Sequence, residues 1–237
     1  MHLAQNDQID VITQSLDSQL GSHLEPVFRE GLVAFLISLR AWNRVHNLTA
    51  IRDLHEQVRR HLVEPVMTMR SFPLGLLETG SAGRPLRVLD VGSGAGVPAI
   101  PWAIMTASVC HFTLVEKAGK KAAFLRRVVH QLNLNLRVTV IEEDVRKLEA
   151  QEPYDMICSR AFASLADFIQ WTQHLLRPQG FWLYLAGQLD RIAGLKEQHY
   201  HHPNISQVVR LVNISPVQLQ GQTSSHLVWL SKEGTAC

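Results

Sequence analysis

Val88-Leu89-Asp90-Val91-Gly92-Ser93-Gly94-Ala95-Gly96-Val97 reads as a buried strand running straight into a glycine turn and then a helix. Glycines at alternate positions tolerate positive φ and remove each Cβ that would keep a ligand from the backbone, while the following helix offers N–H groups without intrahelical acceptors. The turn is therefore expected to hold a nucleotide cofactor. Val97 stands where the dinucleotide fingerprint G-x-G-x-x-G/A requires its third glycine, so a hydride-transfer domain fits less well. Asp90 adds a carboxylate at the strand end. It repels a pyrophosphate but attracts, directly or through water, the cationic amino-acid end of S-adenosylmethionine (SAM).

Downstream of the turn, apolar strand-like runs at 111–116, 136–142, 155–159, 180–186, 207–214 and 226–232 continue the series begun by 86–91. Helical patterns over 97–107, 118–133, 164–177 and 189–198 separate them. Such alternation predicts an α/β, Rossmann-like fold: a mostly parallel sheet with helices on both faces and an antiparallel edge strand from the last two runs. Pro98 and Pro101 fall in the first turn or so of their helix, where a missing N–H costs little.

Upstream, residues 1–25 are polar and show no strong period. Behind Pro26, the residues Val27, Phe28, Leu32, Phe35, Leu36, Leu39 and Trp42 recur at helical spacing, predicting an amphipathic helix that ends near Asn43. Asn47-Leu48-Thr49-Ala50-Ile51-Arg52-Asp53 suits a turn, and a second helix carries His55, Arg59, Arg60 and His61 until Pro65 limits or kinks it. Phe72-Pro73 closes that helix, and Gly75 through Pro85 reads as a connection. Residues 1–80 are accordingly assigned to an N-terminal helical extension that packs on, rather than folds apart from, an 81–237 SAM-binding body.

A chain of 237 residues can bury a core of this kind without staples. Cys110, Cys158 and Cys237 are few, odd in number and lack C-x-x-C spacing, which fits a reducing cytoplasm and supplies no metal framework. The first 20 residues have neither a basic flank nor an apolar run, so no signal peptide or membrane span is expected. A net charge of +2 is too small to establish a nucleic-acid partner, so that question turns on where the basic residues cluster.

In doubly wound sheets the ligand lies at the carboxyl ends of the strands. Glu116 closes the second strand twenty positions after Gly96, where an acid can accept from both ribose hydroxyls. Asp144 follows the third strand, either as acceptor for the adenine amino group, framed by the backbone of Val145 and Arg146, or as an N-cap ahead of Val145. Ser159 and Arg160 end the fourth strand, facing the methyl group and the incoming substrate.

Asn47-Leu48-Thr49, Arg60-His61-Leu62, Asp90 through Pro98, Lys117 through Leu125 and Ser159-Arg160-Ala161-Phe162-Ala163 together resemble the ribosomal RNA small subunit methyltransferase G family, also called glucose-inhibited division protein B. The likeness runs from about residue 30 to the end of the chain. It implies a SAM-dependent transferase acting on guanine N7 in small-subunit (16S) rRNA, with Gly92, Val97, Val145, Arg146 and Arg160 at cofactor-contact positions. Together with the residue-level reading, the cofactor set is Asp90, Gly92, Gly94, Gly96, Val97, Glu116, Asp144, Val145, Arg146 and Arg160. Two stretches depart from the family pattern. Ala186-Gly187-Gln188 stands for the usual Lys-Gly-Gln, and Glu64-Pro65 for an Asp-Ser pair, keeping the acid and losing the hydroxyl.

Guanine N7 carries a lone pair and no proton, so its methylation requires alignment and no general base. Arg160 is assigned to substrate positioning on phosphate or the guanine acceptor edge. Asn47, Arg52, Arg59, Arg60 and His61 form one RNA-binding cluster, and Lys117, Lys120, Lys121, Arg126 and Arg127 a second, with half of these residues at most expected to touch phosphate. His61 either stacks on or contacts RNA, or packs against the body; Glu64 either balances charge at the pocket or makes a surface salt bridge. Phe72, Trp42 and Phe162 offer stacking rings, although the spacing of Trp42 with Leu39 places it in the core. The partner is rRNA or the assembled small subunit, and the protein is expected in the cytoplasm as a monomer without metal. A SAM enzyme for another RNA or a small molecule, and a noncatalytic nucleotide-binding scaffold, are the alternatives. The polar, arginine-rich stretch 44–61 argues against an apolar lid over a small substrate.

Overall fold

The computed structural model describes residues 5–21, 24–69, 71–72, 84–106, 109–160, 162–187, 199–200, 209–219 and 222–232. Among these, eight strands form one sheet: β1 (Leu86–Val91), β2 (Cys110–Val115), β3 (Val138–Ile141), β4 (Tyr154–Arg160), β5 (Leu176–Ala186), β6 (His199–Tyr200), β7 (Val209–Leu219) and β8 (Gln222–Lys232). Their order across the sheet is β3-β2-β1-β4-β5-β8-β7-β6. The first five run parallel, and β8 lies antiparallel against both β5 and β7. The chain leaves β1 toward β2 on one side and later returns to β4 on the other. A crevice therefore opens at the carboxyl ends of β1 and β4, which is where ligands bind in such sheets.

Helices cover the sheet unequally. α1 (Gln5–Leu20), α2 (Pro26–His46), α3 (Leu54–Val58), α4 (Glu64–Met69), α5 (Ala99–Met105) and α6 (Gly119–Gln131) pack on one face, sharing a core with Val88, Cys158, Leu183 and Trp229. On the other face α7 (Leu165–Thr172) and a short 3₁₀ turn, Val145–Lys147, cover Leu89, Ile157, Trp182 and Val228. This inside-outside assignment follows the two-residue alternation along each strand.

α2 buries Leu32, Phe35, Leu36 and Leu39 along one stripe, with Pro26 at its start where no N–H is needed. It runs to His46, one turn beyond the expected end, and stops because Asn47 adopts a left-handed conformation (φ 49°) that its short polar side chain tolerates. The polar first 25 residues contain a helix that the weak period concealed: α1 buries Ile12 and Leu16 completely against the common core. Conversely, the helix expected over 164–177 ends at Thr172, and β5 starts at Leu176. α7 begins where Ser164 accepts the Asp167 N–H at 3.1 Å and donates its hydroxyl to Asp167 at 2.7 Å. The sheet is completed by β8, β7 and β6 through antiparallel pairings, with β8 inserted between β5 and β7 and the short β6 added at the edge.

Trp102 of α5, fully buried, donates its indole N–H to the Pro65 carbonyl at 2.8 Å, tying the N-terminal helices to the body. At the far end of the sheet, the buried Asp155 carboxylate takes a two-pronged Arg84 guanidinium at 3.0 and 2.9 Å, the Arg87 N–H at 2.7 Å and Arg177 at 2.9 Å. The helix expected over 189–198, residues 207–208, Gln188, Ala161, Cys237 and most of the connection ahead of Pro85 lie outside the described residues. Among the described residues no helix is long and apolar enough to cross a membrane.

Candidate active site

β1 delivers the chain to the crevice, and the turn that follows holds Gly92, Gly94 and Gly96 at φ of 68°, 53° and 81°. The three glycines serve different ends, contrary to the single purpose expected of them. A Cβ on Gly92 would lie 2.3 Å from the Phe162 ring, and one on Gly96 would lie 2.8 Å from Ile100 and 3.1 Å from Leu125. Those two make room for protein. Only at Gly94 does the space stay open, with the Gly92 carbonyl at 3.6 Å the nearest atom to an added Cβ.

Glu116, 6% exposed, sits just past β2 and grips the turn: Oε2 accepts the Gly94 N–H at 3.0 Å and Oε1 the Ala118 N–H at 2.8 Å. Each oxygen keeps a second lone pair for a ligand hydroxyl. Asp90 is 1% exposed, pairs in register with Cys158 and accepts its thiol at 3.6 Å on Oδ1. Its Oδ2 has no hydrogen-bond partner. Burial pushes the Asp90 carboxyl up to about 7, and the nearby Glu116 charge pushes the same way against Ser93, Cys158 and Arg160.

The cavity at these strand ends has a volume of about 440 Å³ and is lined by Val91, Gly92, Val115, Glu116, Lys117, Lys121, Glu143, Asp144, Val145, Arg146, Phe162 and Trp171. Asp144 caps the 3₁₀ turn by accepting the Arg146 N–H at 3.0 Å and also binds the Arg146 guanidinium at 2.9 and 2.5 Å. Those bonds hold its carboxyl well below the usual carboxylate range. Its N-cap alternative is thus the one observed, and the residue borders the cavity as well. Arg146 lies over the Trp171 ring at 5.3 Å, and Phe162 meets Trp171 edge-on at 5.9 Å. Trp171 escaped sequence reading because its approach depends on how α7 crosses the sheet; nothing local marks it.

Several expected site residues are placed elsewhere. Val97 packs in the core at 8% exposure and is absent from the cavity lining. Arg160 does not face into this cavity. Its Nη1 donates to the Arg60 carbonyl at 2.9 Å and its Nη2 lies 3.8 Å from Glu64, so the end of β4 reaches the N-terminal helices. Glu64 is 1% exposed and pairs with the partly exposed Arg60, so its carboxylate sits beneath the surface and not in a surface salt bridge. His61 also points inward, 5% exposed with Nε2 3.1 Å from the Thr49 hydroxyl; burial and the Arg160 and Arg60 charges push it down to about 3, so it is neutral and largely shielded from solvent. Phe72 packs edge-on against Trp102 and Trp229, in the core rather than on a stacking surface, and Trp42 packs against Phe124.

The remaining basic residues are exposed or near the surface. Asn47 accepts Arg52 at 2.7 Å, Arg59 is held by Glu56 at 2.7 and 2.6 Å, and Arg126 by Glu142 at 2.9 Å. Lys117 and Lys120 are exposed beside the cavity and at the start of α6. Among the described residues no cluster of His, Cys, Asp and Glu could hold a metal ion.

Two features suit SAM: an unsatisfied buried carboxylate oxygen of Asp90 beneath the glycine turn, and open space at Gly94 for a ligand to approach main chain. Comparison with known proteins agrees. Among solved structures, an O-methyltransferase, StiE O-MT residues 961–1257, superposes with a TM-score of 0.53 at 14% identity, covering 82% of each chain. The N-methyltransferase NodS of Bradyrhizobium japonicum, solved with S-adenosyl-L-homocysteine, superposes with a TM-score of 0.50 at 14% identity over 82% of this chain and 98% of that one. These likenesses establish a methyltransferase fold. In sequence, the ribosomal RNA small subunit methyltransferase G of Cronobacter sakazakii is 34% identical over 229 residues, which cover 96% of this chain and 100% of that protein. The proteins of the same name from Escherichia fergusonii and Methylobacillus flagellatus are 35% identical over 216 residues (90% of this chain, 94% of that one) and 37% over 171 residues (72% and 77%). The model of the family described as rRNA small subunit methyltransferase G, GidB, matches residues 29–218. The chain belongs to the rRNA small subunit methyltransferase G family.

Proposed function

We propose that this protein transfers the methyl group of SAM to guanine N7 in small-subunit rRNA. The family match over residues 29–218 carries the reading, and the crevice at the ends of β1 and β4 is consistent with it. When bound, SAM supplies an electrophilic sulfonium methyl group. The chain's part is alignment: N7 needs no base to remove a proton, and orientation alone can lower a barrier by about 7–11 kcal/mol. Asp90 faces the cationic amino-acid end, Glu116 steadies Gly94 and accepts ribose hydroxyls, and Asp144, Val145 and Arg146 border the base. Arg160 positions substrate from the end of β4, and Asn47, Arg52, Arg59, Arg60, Lys117, Lys120 and Arg126 meet RNA phosphates. Division into an extension (1–80) and a SAM-binding body (81–237), action in the cytoplasm and a monomeric state belong to the same proposal.

The test is transfer of labelled methyl from SAM to small ribosomal subunits, and separately to their extracted RNA, from cells lacking this gene, followed by mapping of the labelled nucleotide. Label at one guanine N7 supports the proposal, and the better substrate form identifies the partner. No label on either, with SAM binding intact, points to another acceptor.

A further inference from the structure

The ion cluster between the N-terminal helices and β4 is built with a specificity that simple helix packing does not need. Glu64 is 1% exposed; its Oε1 accepts the Ser225 hydroxyl of β8 at 2.7 Å, and its Oε2 lies 2.6 Å from Arg60 and 3.8 Å from Arg160. Three elements distant in sequence thus converge on one carboxylate. A charge so placed persists only when its partners compensate the loss of water.

The helix also changes register here. Residues Arg59–Val63 form a π turn, in which the Glu64 N–H reaches back to the Arg59 carbonyl. The next donor in that register would be residue 65, and Pro65 has no N–H. The Arg60 carbonyl that proline cannot serve instead accepts Arg160 Nη1 at 2.9 Å, from 100 residues along the chain. Arg160 stands two residues beyond Cys158, the register partner of Asp90, so its side chain leaves the same sheet face as the Asp90 carboxylate.

We propose that Glu64 and Pro65 together position Arg160: the carboxylate and the proline-exposed Arg60 carbonyl hold the guanidinium at the crevice end of β4 for the incoming RNA. This rests on the rRNA methyltransferase reading. Glu64 is a positioning residue that acts through Arg160.

The experiment follows the Arg160 guanidinium by ¹⁵N NMR, assigned with Arg160→Lys, alongside transfer kinetics on small subunits and SAM calorimetry. In Glu64→Gln, which keeps the acceptor for Ser225 and removes the charge, the Arg160 N–H signals should broaden or exchange faster. The kcat/KM for subunits should fall about tenfold or more, and by a larger factor than SAM affinity does. Glu64→Gln combined with Arg160→Lys should be no slower than Arg160→Lys alone, and Glu64→Asp should restore part of the rate. Should Glu64→Gln fail to fold, Pro65→Ala replaces it: a new N–H at 65 competes for the Arg60 carbonyl and should shift the Arg160 signals. Unchanged Arg160 signals in both variants, or additive rate losses in the double variant, would overturn the proposal. A wild-type chain that transfers nothing to subunits overturns the rRNA reading instead, and the NMR arm still decides whether Glu64 holds Arg160.

Discussion

Glu116 holds the tip of the glycine turn, its Oε2 accepting the Gly94 N–H at 3.0 Å while Oε1 takes the Ala118 N–H at 2.8 Å. Because the buried carboxylate is acceptor-only, it can bind two backbone donors at once and still offer lone pairs to a diol. Glu116→Gln replaces one oxygen with an NH₂ that faces an N–H, leaving a buried donor opposed by a donor. SAM affinity should fall about ten- to a hundredfold, as expected for losing hydrogen bonds to a charged group. Calorimetry on the free protein checks this; an unchanged Kd would remove Glu116 from the cofactor site.

Asp90 makes the same site sensitive to pH. Its carboxyl is raised to about 7 in the folded protein, chiefly by burial, against an unfolded value of about 3.9. Between those values the folded state binds the extra proton, so this group's contribution favours folding at low pH and is lost as pH rises through about 7. The ionised form is the one that attracts a cation, so SAM affinity should instead rise between about pH 6 and pH 8. Asp90→Asn should flatten both dependences. Denaturant titrations and calorimetry at several pH values measure them, and a wild-type SAM affinity independent of pH would contradict the assignment.

The turn, β1 and the carboxyl-end positions of Glu116 and Asp144 were legible because each follows from local chemistry: a glycine triplet after an apolar run, and acids where strands stop. What stayed hidden depended on contacts across the chain. α1 was concealed because Ile12 and Leu16 are spaced among mostly polar neighbours and acquire meaning only against the shared core. Gly92 and Gly96 were read as keeping space for a ligand, yet a Cβ at either would also strike protein: Phe162 at Gly92, and Ile100 and Leu125 at Gly96, where Phe162 and Leu125 lie on elements distant in the chain. The direction of Arg160 and the burial of Glu64 likewise needed the N-terminal helices to be laid over the end of β4.

Gly92 gives a direct test of that division. Alanine there must adopt φ near 68° and place its Cβ 2.3 Å from Phe162 Cδ2. The left-handed backbone alone costs about 1–3 kcal/mol. Gly92→Ala should destabilise the protein by at least that amount, and adding Phe162→Ala should recover the steric part but not the backbone part. Denaturant midpoints of the two single variants and the double variant measure the coupling. Strictly additive changes would mean that the ring is not the obstacle.

The RNA surface should be uneven, because its cations differ in how they are already engaged. Arg59 is matched by Glu56 and Arg126 by Glu142, whereas Lys120 is exposed at the first turn of α6. A cation already paired must give up its carboxylate before it gains a phosphate, so its net contribution to RNA binding shrinks. Lys120→Ala should therefore weaken binding to small subunits more than Arg126→Ala does, and reduce the dependence of log K on log salt by about 0.7–0.9 for one lost phosphate contact. SAM affinity should not change, since Lys120 is not among the cavity-lining residues. Binding measured across a salt series separates the two cases: an unaltered salt slope for Lys120→Ala would take α6 out of the RNA interface and leave the N-terminal cluster around Asn47 and Arg52 to carry it.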